Sequence, residues 1–265
     1  MSAKTGTVLD RILEQTRLEV ERRKREQPLG GGPGIDREPD GGSRRHFHDA
    51  LGRPGIGVIA EFKRRSPSAG TLRERPDLPG ILDAYTQGGA SAISILTDGP
   101  HFEGSLEDLR RARAACDLPL LRKDFILDPY QLHEALAAGA DAVLLIAAAL
   151  DQPTLASLHR HARNLELDVL VEVHDREELD RALDLGAELI GINNRDLRDF
   201  SVDVGRTERL MRHIPAGVSV VSESGISTHE QLEDLAKQGL AGVLVGEALM
   251  RADDPRGALE ALRGV

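Results

Sequence analysis

Three glutamates and two lysines, Glu61, Lys63, Lys123, Glu172 and Glu223, each stand at or near the C-terminal end of a short apolar run. In Val58-Ile59-Ala60-Glu61-Phe62-Lys63-Arg64-Arg65-Ser66-Pro67-Ser68 the run ends in a carboxylate and an ammonium two residues apart. Side chains alternate along a strand, so Glu61 and Lys63 share one face while Ala60 and Phe62 share the other. Charges at the end of an apolar strand must be matched or solvated, because an unpaired buried charge is costly. The same design recurs in Leu118–Phe125 with Lys123, Asp168–His174 with Glu172, Glu188–Asp196 with Asn193 and Arg195, Val218–Gly225 with Glu223, and Gly242–Glu247.

Lysines among carboxylates acquire unequal proton affinities: the carboxylates favour the ammonium, and apolar surroundings disfavour charge of either sign. Such a set can donate and accept protons. A purely stabilising ion network is the plain alternative, but it does not explain why charge gathers at one end of every run. The last two runs suggest an anion site. Ser224-Gly225-Ile226-Ser227-Thr228 and Gly246-Glu247-Ala248 put glycine where backbone amides can approach an anion, the second at the start of a helix. For Glu247 the backbone N–H is the expected donor, with the side chain turned away. His159 and His161 face different directions on one helix, His174 reads as a loop histidine before the cap residue Asp175, and no metal is expected.

These residues need a scaffold that brings strand ends together. Eight strands are expected to begin near Gly57, Ser91, Leu118, Asp141, Asp168, Glu188, Val218 and Gly242, with helical patterns such as Pro129–Ala138, Pro153–Asn164, Arg176–Leu185 and Thr228–Gln238 between them. Gly89, Gly139, Gly186 and Gly239 punctuate helix ends. Repeated βα units, polar at one end, favour a closed (β/α)8 TIM barrel (class α/β) over a doubly wound sheet. The whole chain, 1–265, reads as a single barrel domain, with 1–46 an N-terminal helix and a Gly/Pro-rich loop before it. That helix spans about Thr7–Gln27, with Val8, Leu9, Ile12 and Leu13 as its apolar stripe and Glu19/Arg23 and Glu21/Arg25 as favourable pairs. A second helix is expected from Arg44 to Leu51, capped by Ser43; the Gly/Pro-rich tract Pro28–Gly34 is expected to be mobile, and Gly30–Gly42 matches no recognised pattern.

A net charge of −10 argues against nucleic acid or an anionic membrane as partner. The single cysteine, Cys116, excludes an internal disulfide and reads as a small buried hydrophobe. No run reaches the roughly 20 apolar residues of a membrane span, and Met1–Gly6 lacks an apolar leader segment, so a cytoplasmic location is expected.

With these residues in place the chain resembles the indole-3-glycerol phosphate synthase family. The resemblance rests on Val58–Ser68, Ile95-Leu96-Thr97-Asp98, Leu121–Ile126, Val171-Glu172-Val173-His174, Gly191–Leu197, Ser222–Ile226 and Leu244–Glu247, and it runs from about Phe47 to the carboxyl end. It implies cyclisation and decarboxylation of 1-(2-carboxyphenylamino)-1-deoxyribulose 5-phosphate to indole-3-glycerol phosphate, CO2 and water, without a cofactor. By that similarity Lys123 is the general acid and Glu172 the acid/base of later steps. Lys63 with Glu61 holds substrate oxygens, and Glu223 and Asn193 orient groups. Ser66, Arg195 and Ser224 contact substrate, Phe125 walls the aromatic ring, and Gly225, Gly246 and Glu247 seat the phosphate. The partner implied is a small sugar phosphate, with the protein a monomer or weak oligomer. The alternatives are another sugar-phosphate barrel enzyme, such as phosphoribosylanthranilate isomerase, and a non-catalytic phosphometabolite-binding barrel.

Overall fold

The computed structural model describes residues 7–29, 45–52, 55–196 and 200–265. Two helices come first, α1 (Val8–Glu26) and α2 (Phe47–Leu51). Eight strands then alternate with helices: β1 (Gly57–Phe62), β2 (Ala92–Leu96), β3 (Leu120–Lys123), β4 (Ala142–Ile146), β5 (Asp168–Val173), β6 (Leu189–Asn193), β7 (Ser219–Glu223) and β8 (Gly242–Val245). They form one closed parallel barrel in chain order, β8 returning to β1 with Gly57 opposite Gly242 and Ala60 opposite Val245. The strands thus begin within two residues of where the apolar runs put them. The outer helices are α3 (Leu78–Gln87), α4 (Gly99–Phe102), α5 (Leu106–Ala115), α6 (Pro129–Ala137), α7 (Gln152–Asn164), α8 (Arg176–Asp184), α9 (Gly205–Met211), α10 (His229–Lys237), α11 (Glu247–Arg251) and α12 (Pro255–Arg263).

Local signals account for the helix boundaries. Asp128 and Thr228 form reciprocal capping boxes with Gln131 and Gln231, and Ser105, Asp151, Asp175 and Asp254 each accept a backbone N–H of the first turn. After α6 the chain turns at Gly139, whose φ of 88° suits glycine.

Alternation along the strands divides the core. Val58, Ala60 and Phe62 face outward, against helix residues such as Leu82, Tyr85 and Leu109. Ile59 faces inward with Ala92, Leu121, Leu144, Leu170, Leu189, Val221 and Leu244, and this inner cluster also takes in Phe47 and Leu51 of α2 and Leu9, Ile12 and Leu13 of α1. Helix α2 closes the N-terminal end of the barrel. The His48 N–H donates to Asp168 Oδ2 at 3.0 Å, and its ring Nε2 lies 2.8 Å from Ser219 Oγ, both at first residues of strands. The opposite end is left for chemistry.

Three expectations are corrected here. Helix α2 begins at Phe47, with His46 at its N-cap and no side-chain cap bond, while Ser43 and Arg44 lie outside the described residues. Arg23 does not pair with Glu19. It makes a two-pronged contact with Glu134 of α6 (2.7 and 3.2 Å), and Glu19 binds Arg22 instead. Glu21 pairs with Lys24 rather than Arg25, and Lys24 also reaches Asp128 at 2.6 Å. Helix α1 is therefore spent on holding α6, where burial and bidentate geometry make an ion pair worth more than an exposed pair along one helix. The tract Gly30–Gly42 lies outside the described residues. Cys116 is buried, as expected. Among the described residues no helix is long and apolar enough to cross a membrane.

Candidate active site

At the C-terminal end of the barrel, a cavity of about 410 Å3 opens over the strand ends. Inward-facing positions supply its floor. Lys123 Nζ, at the end of β3, sits 2.9 Å from Glu172 Oε2 of β5 and 3.0 Å from Glu223 Oε2 of β7. Lys63 Nζ, just beyond β1, lies 2.7 Å from Glu61 Oε1. Two ammonium groups thus stand among three buried carboxylates, as alternation requires.

The barrel tunes these groups by burial and by neighbours. Burial opposes the charge on Lys123, but Glu172, Glu223 and Glu61 outweigh it, and its pKa is raised. For Glu172 burial favours the neutral acid, yet Lys123 and the His174 ring prevail and hold it well below the usual carboxylate range. Glu223 goes the other way. Burial raises it, Lys123 only partly opposes that, and the charge on Glu172 adds to it, so its pKa is pushed up to about 7. Its Oε1 is buried and has no hydrogen-bond donor among the described residues, which favours the neutral acid.

Two glycines make room for this cluster. A Cβ on Gly191 of β6 would stand 2.2 Å from Glu223 Oε1, and one on Gly246 would stand 2.5 Å from Glu61 Oε1. Gly246, expected to serve a phosphate through its backbone, also stands where any side chain would meet the Glu61 carboxylate. The Ser224–Gly225 turn fits the anion reading better, with two consecutive left-handed residues (φ 65° and 81°).

Every site residue expected from the sequence lines the cavity: Glu61, Lys63, Ser66, Lys123, Phe125, Glu172, Asn193, Arg195, Glu223, Ser224, Gly225, Gly246 and Glu247. Phe125 joins Phe102, Leu144, Ile146 and Leu244 in an apolar wall. The Asn193 side-chain oxygen accepts the Arg195 N–H at 3.0 Å, and Arg195 donates to the Phe200 carbonyl at 3.1 Å. Ser66 is buried in a two-residue hairpin, its Oγ accepting the Ala69 N–H at 3.1 Å. The Glu247 side chain does not turn away. It reaches Arg251 at 3.3 Å and Arg195 at 3.8 Å, so two cations on the rim compensate it.

Sequence reasoning missed four residues. Arg251 lines the cavity and donates to the Ala69 carbonyl, tying α11 to the hairpin. Asp98, also lining it, caps α4. Arg122 is fully buried between Asp124 (2.8 Å) and Glu134 (3.4 Å), which commits Asp124 to structure rather than to a metal. His174 lies in the loop after β5, as read, but is buried there against Glu172. His161 meets His133 across α6 and α7, and the described residues hold no group of three or more His, Cys, Asp or Glu placed to bind a metal.

The family model for indole-3-glycerol phosphate synthase matches residues 9–262. The chain belongs to the indole-3-glycerol phosphate synthase family. A synthase of that name from Rhizorhabdus wittichii is 47% identical over 250 residues, covering 93% of this chain and 94% of the relative. One from Salinibacter ruber is 48% identical, covering 97% and 95%. Among solved structures, a 3-hexulose-6-phosphate synthase from Salmonella typhimurium superposes with a TM-score of 0.63 at 16% identity, over 79% of this chain and 97% of that one. A tryptophan synthase α-subunit from Pyrococcus furiosus does so at 0.60 and 16%, over 79% and 98%. At such identity these two share the fold only, whereas the synthase family covers strand ends and cavity alike.

Proposed function

We propose that this chain closes the indole ring of indole-3-glycerol phosphate from 1-(2-carboxyphenylamino)-1-deoxyribulose 5-phosphate, releasing CO2 and water. The observation that carries the reading is Lys123, an ammonium held between Glu172 and Glu223 beneath an apolar wall. Membership of the synthase family supports it.

The chemistry has three parts. The ring carbon bearing the carboxylate attacks the sugar carbonyl carbon while Lys123 gives a proton to the carbonyl oxygen. Its carboxylate partners keep Lys123 protonated, so the transfer happens as that oxygen gains negative charge. Cyclisation leaves an iminium, which accepts the electron pair of the breaking C–CO2 bond, so decarboxylation needs no added electron sink. The hydroxyl then departs as water while the neighbouring CH2 loses a proton, and Glu172, on the floor beside Lys123, is the acid/base for this step. Lys63, paired with Glu61, holds substrate oxygens, and Glu223 and Asn193 orient hydroxyls. Phe125 walls the aromatic ring, Ser66, Arg195 and Ser224 take polar contacts, and Gly225, Gly246 and Glu247 offer backbone amides to the phosphate. The reading also makes the chain one barrel domain, cytoplasmic, a monomer or weak oligomer, and free of cofactor and metal.

Incubation with the carboxyphenylamino sugar phosphate tests it directly. Indole fluorescence should rise against a background of two Tyr and no Trp, and a chelator should not slow it. A cavity that binds the substrate without indole emission would return the chain to the non-catalytic reading, and turnover of phosphoribosylanthranilate alone would favour the isomerase.

A further inference from the structure

His174 follows the last residue of β5 and is 7% exposed, yet it does not line the cavity. Both ring nitrogens face carboxylates: Nδ1 lies 3.0 Å from Glu178 Oε2, and Nε2 lies 3.4 Å from Glu172 Oε1. The second distance marks an ion-pair contact more than an aligned hydrogen bond. A neutral imidazole has one N–H and one acceptor nitrogen, while an ionised carboxylate only accepts. Nε2 is buried with no hydrogen-bond partner among the described residues, and a ring with a carboxylate on each side is attracted to both only when both nitrogens carry protons.

We propose that His174 is a positioning residue for Glu172, an imidazolium that holds Oε1 of that carboxylate while Lys123 holds Oε2. The inference rests on the acid/base role proposed above for Glu172. The ring itself is fixed by the helix that follows. Glu178 Oε2 also accepts the His174 backbone N–H at 2.8 Å, and the Glu178 backbone N–H is capped by Asp175 at 3.0 Å. One helical turn therefore sets ring, partner and cap together.

Charge balance points the same way. Among the described residues the four carboxylates Glu61, Glu172, Glu178 and Glu223 are paired with Lys63, Lys123 and the His174 ring, so a charged ring narrows an excess of negative charge. The charged groups facing the ring are Glu172 from β5 and Glu178 from α8, with Lys123 of β3 behind Glu172. Arg181, the next cation along α8, is committed to the carbonyls of Ala147 and Leu150. Burial opposes the imidazolium, but Glu172 and Glu178 outweigh it and push its pKa up to about 10.

Two measurements test this. Proton–nitrogen correlation spectra of the nine histidines, with His174 assigned by its loss in His174→Gln, should show both its ring nitrogens protonated from about pH 6 to above pH 8. His174→Gln should lower kcat about 10- to 100-fold, the range for losing a buried ion-pair contact and misplacing the carboxylate by up to about 1 Å, with KM nearly unchanged. The acid limb of its kcat profile should move to higher pH, because Glu172 then keeps only the cation it shares with Glu223. Glu178→Gln should leave that limb in place and lower the pH at which the ring loses its second proton in the spectra, and it carries the test if His174→Gln does not fold. A neutral ring at pH 7, or His174→Gln with the parental rate and profile, would overturn the proposal. Glu172→Gln separates the two readings. Activity retained there removes Glu172 from the chemistry and this proposal with it, whereas activity lost there beside a parental His174→Gln overturns the proposal alone.

Discussion

Gly191→Ala adds one methyl group to an inward-facing position of β6 and should slow the chemistry without touching any charged residue. The new Cβ would stand 2.2 Å from Glu223 Oε1 and 3.3 Å from the Leu170 Cδ1 methyl. The leucine can yield by a small rotation, but the carboxylate must retreat by about 1 Å to reach ordinary contact. Gly191 has no left-handed φ, so the backbone accepts alanine and the cost falls on the side chain. If the retreat is taken up in the contact with Lys123, that distance grows from 3.0 Å to about 4 Å. At an effective dielectric near 20, this weakens a unit-charge pair by about 1.4 kcal/mol, or tenfold, and moves Glu223 further toward its neutral form. Misplacement of a reacting group by that distance adds up to ~100-fold in rate. The expected result is a kcat lower by about 10- to 100-fold at pH 7, with KM close to the parent. Overpacking should also cost about 1–3 kcal/mol, seen as a Tm lower by several degrees. Initial rates read by indole fluorescence, beside circular dichroism melts, measure both. A folded Gly191→Ala with the parental kcat would refute the reasoning, because Glu223 would then be free to move without consequence.

The remaining expectations are briefer. Lys123→Met should keep the fold and phosphate binding while kcat falls by at least about 100-fold; a rate within a few-fold of the parent would pass the role of acid to Lys63. Gly225→Val and Gly246→Val should part company. The first strains a left-handed turn (φ 81°) and should raise KM and weaken inhibition by inorganic phosphate, whereas the second also meets Glu61 at 2.5 Å and should lower kcat as well as raise KM; unchanged KM and phosphate inhibition in folded variants would place the phosphate elsewhere. The folded pKa of His174, about 10, lies above its ordinary 6.5, so its contribution to stability is full below pH 6.5 and is lost as pH rises through about 10. Chemical denaturation at stepped pH should show a loss between those values in the parent and a flatter profile in His174→Gln.

Much of the site was legible because strand alternation is a local rule. Once Val58–Phe62 is a strand with Ala60 and Phe62 against the helices, Glu61 and Lys63 must face the barrel axis, whatever surrounds them. The same rule oriented Lys123, Glu172, Asn193 and Glu223, and apolar runs with polar ends located the strands themselves. Caps such as Asp128 and Thr228 lie within four residues of the backbone they satisfy, so they too can be read from a short window.

What the sequence did not show depends mostly on residues far apart in the chain. The closeness of Gly246 to Glu61 arises only when barrel closure brings β8 beside β1. Gly191 looks like a weak strand residue until the β6–β7 register aims Glu223 at it. Arg23 has a carboxylate at helical spacing in Glu19, yet it turns to Glu134, because a bidentate partner in a partly dry interface outcompetes an exposed neighbour. His174 follows a strand in a polar turn, and only the depth of the barrel end turns that position into a buried imidazole between two carboxylates. Sequence periodicity by itself determined which residues face the axis and at which end they gather. Closure and register decided which of them touch, because those contacts are made across the barrel and no local pattern encodes them.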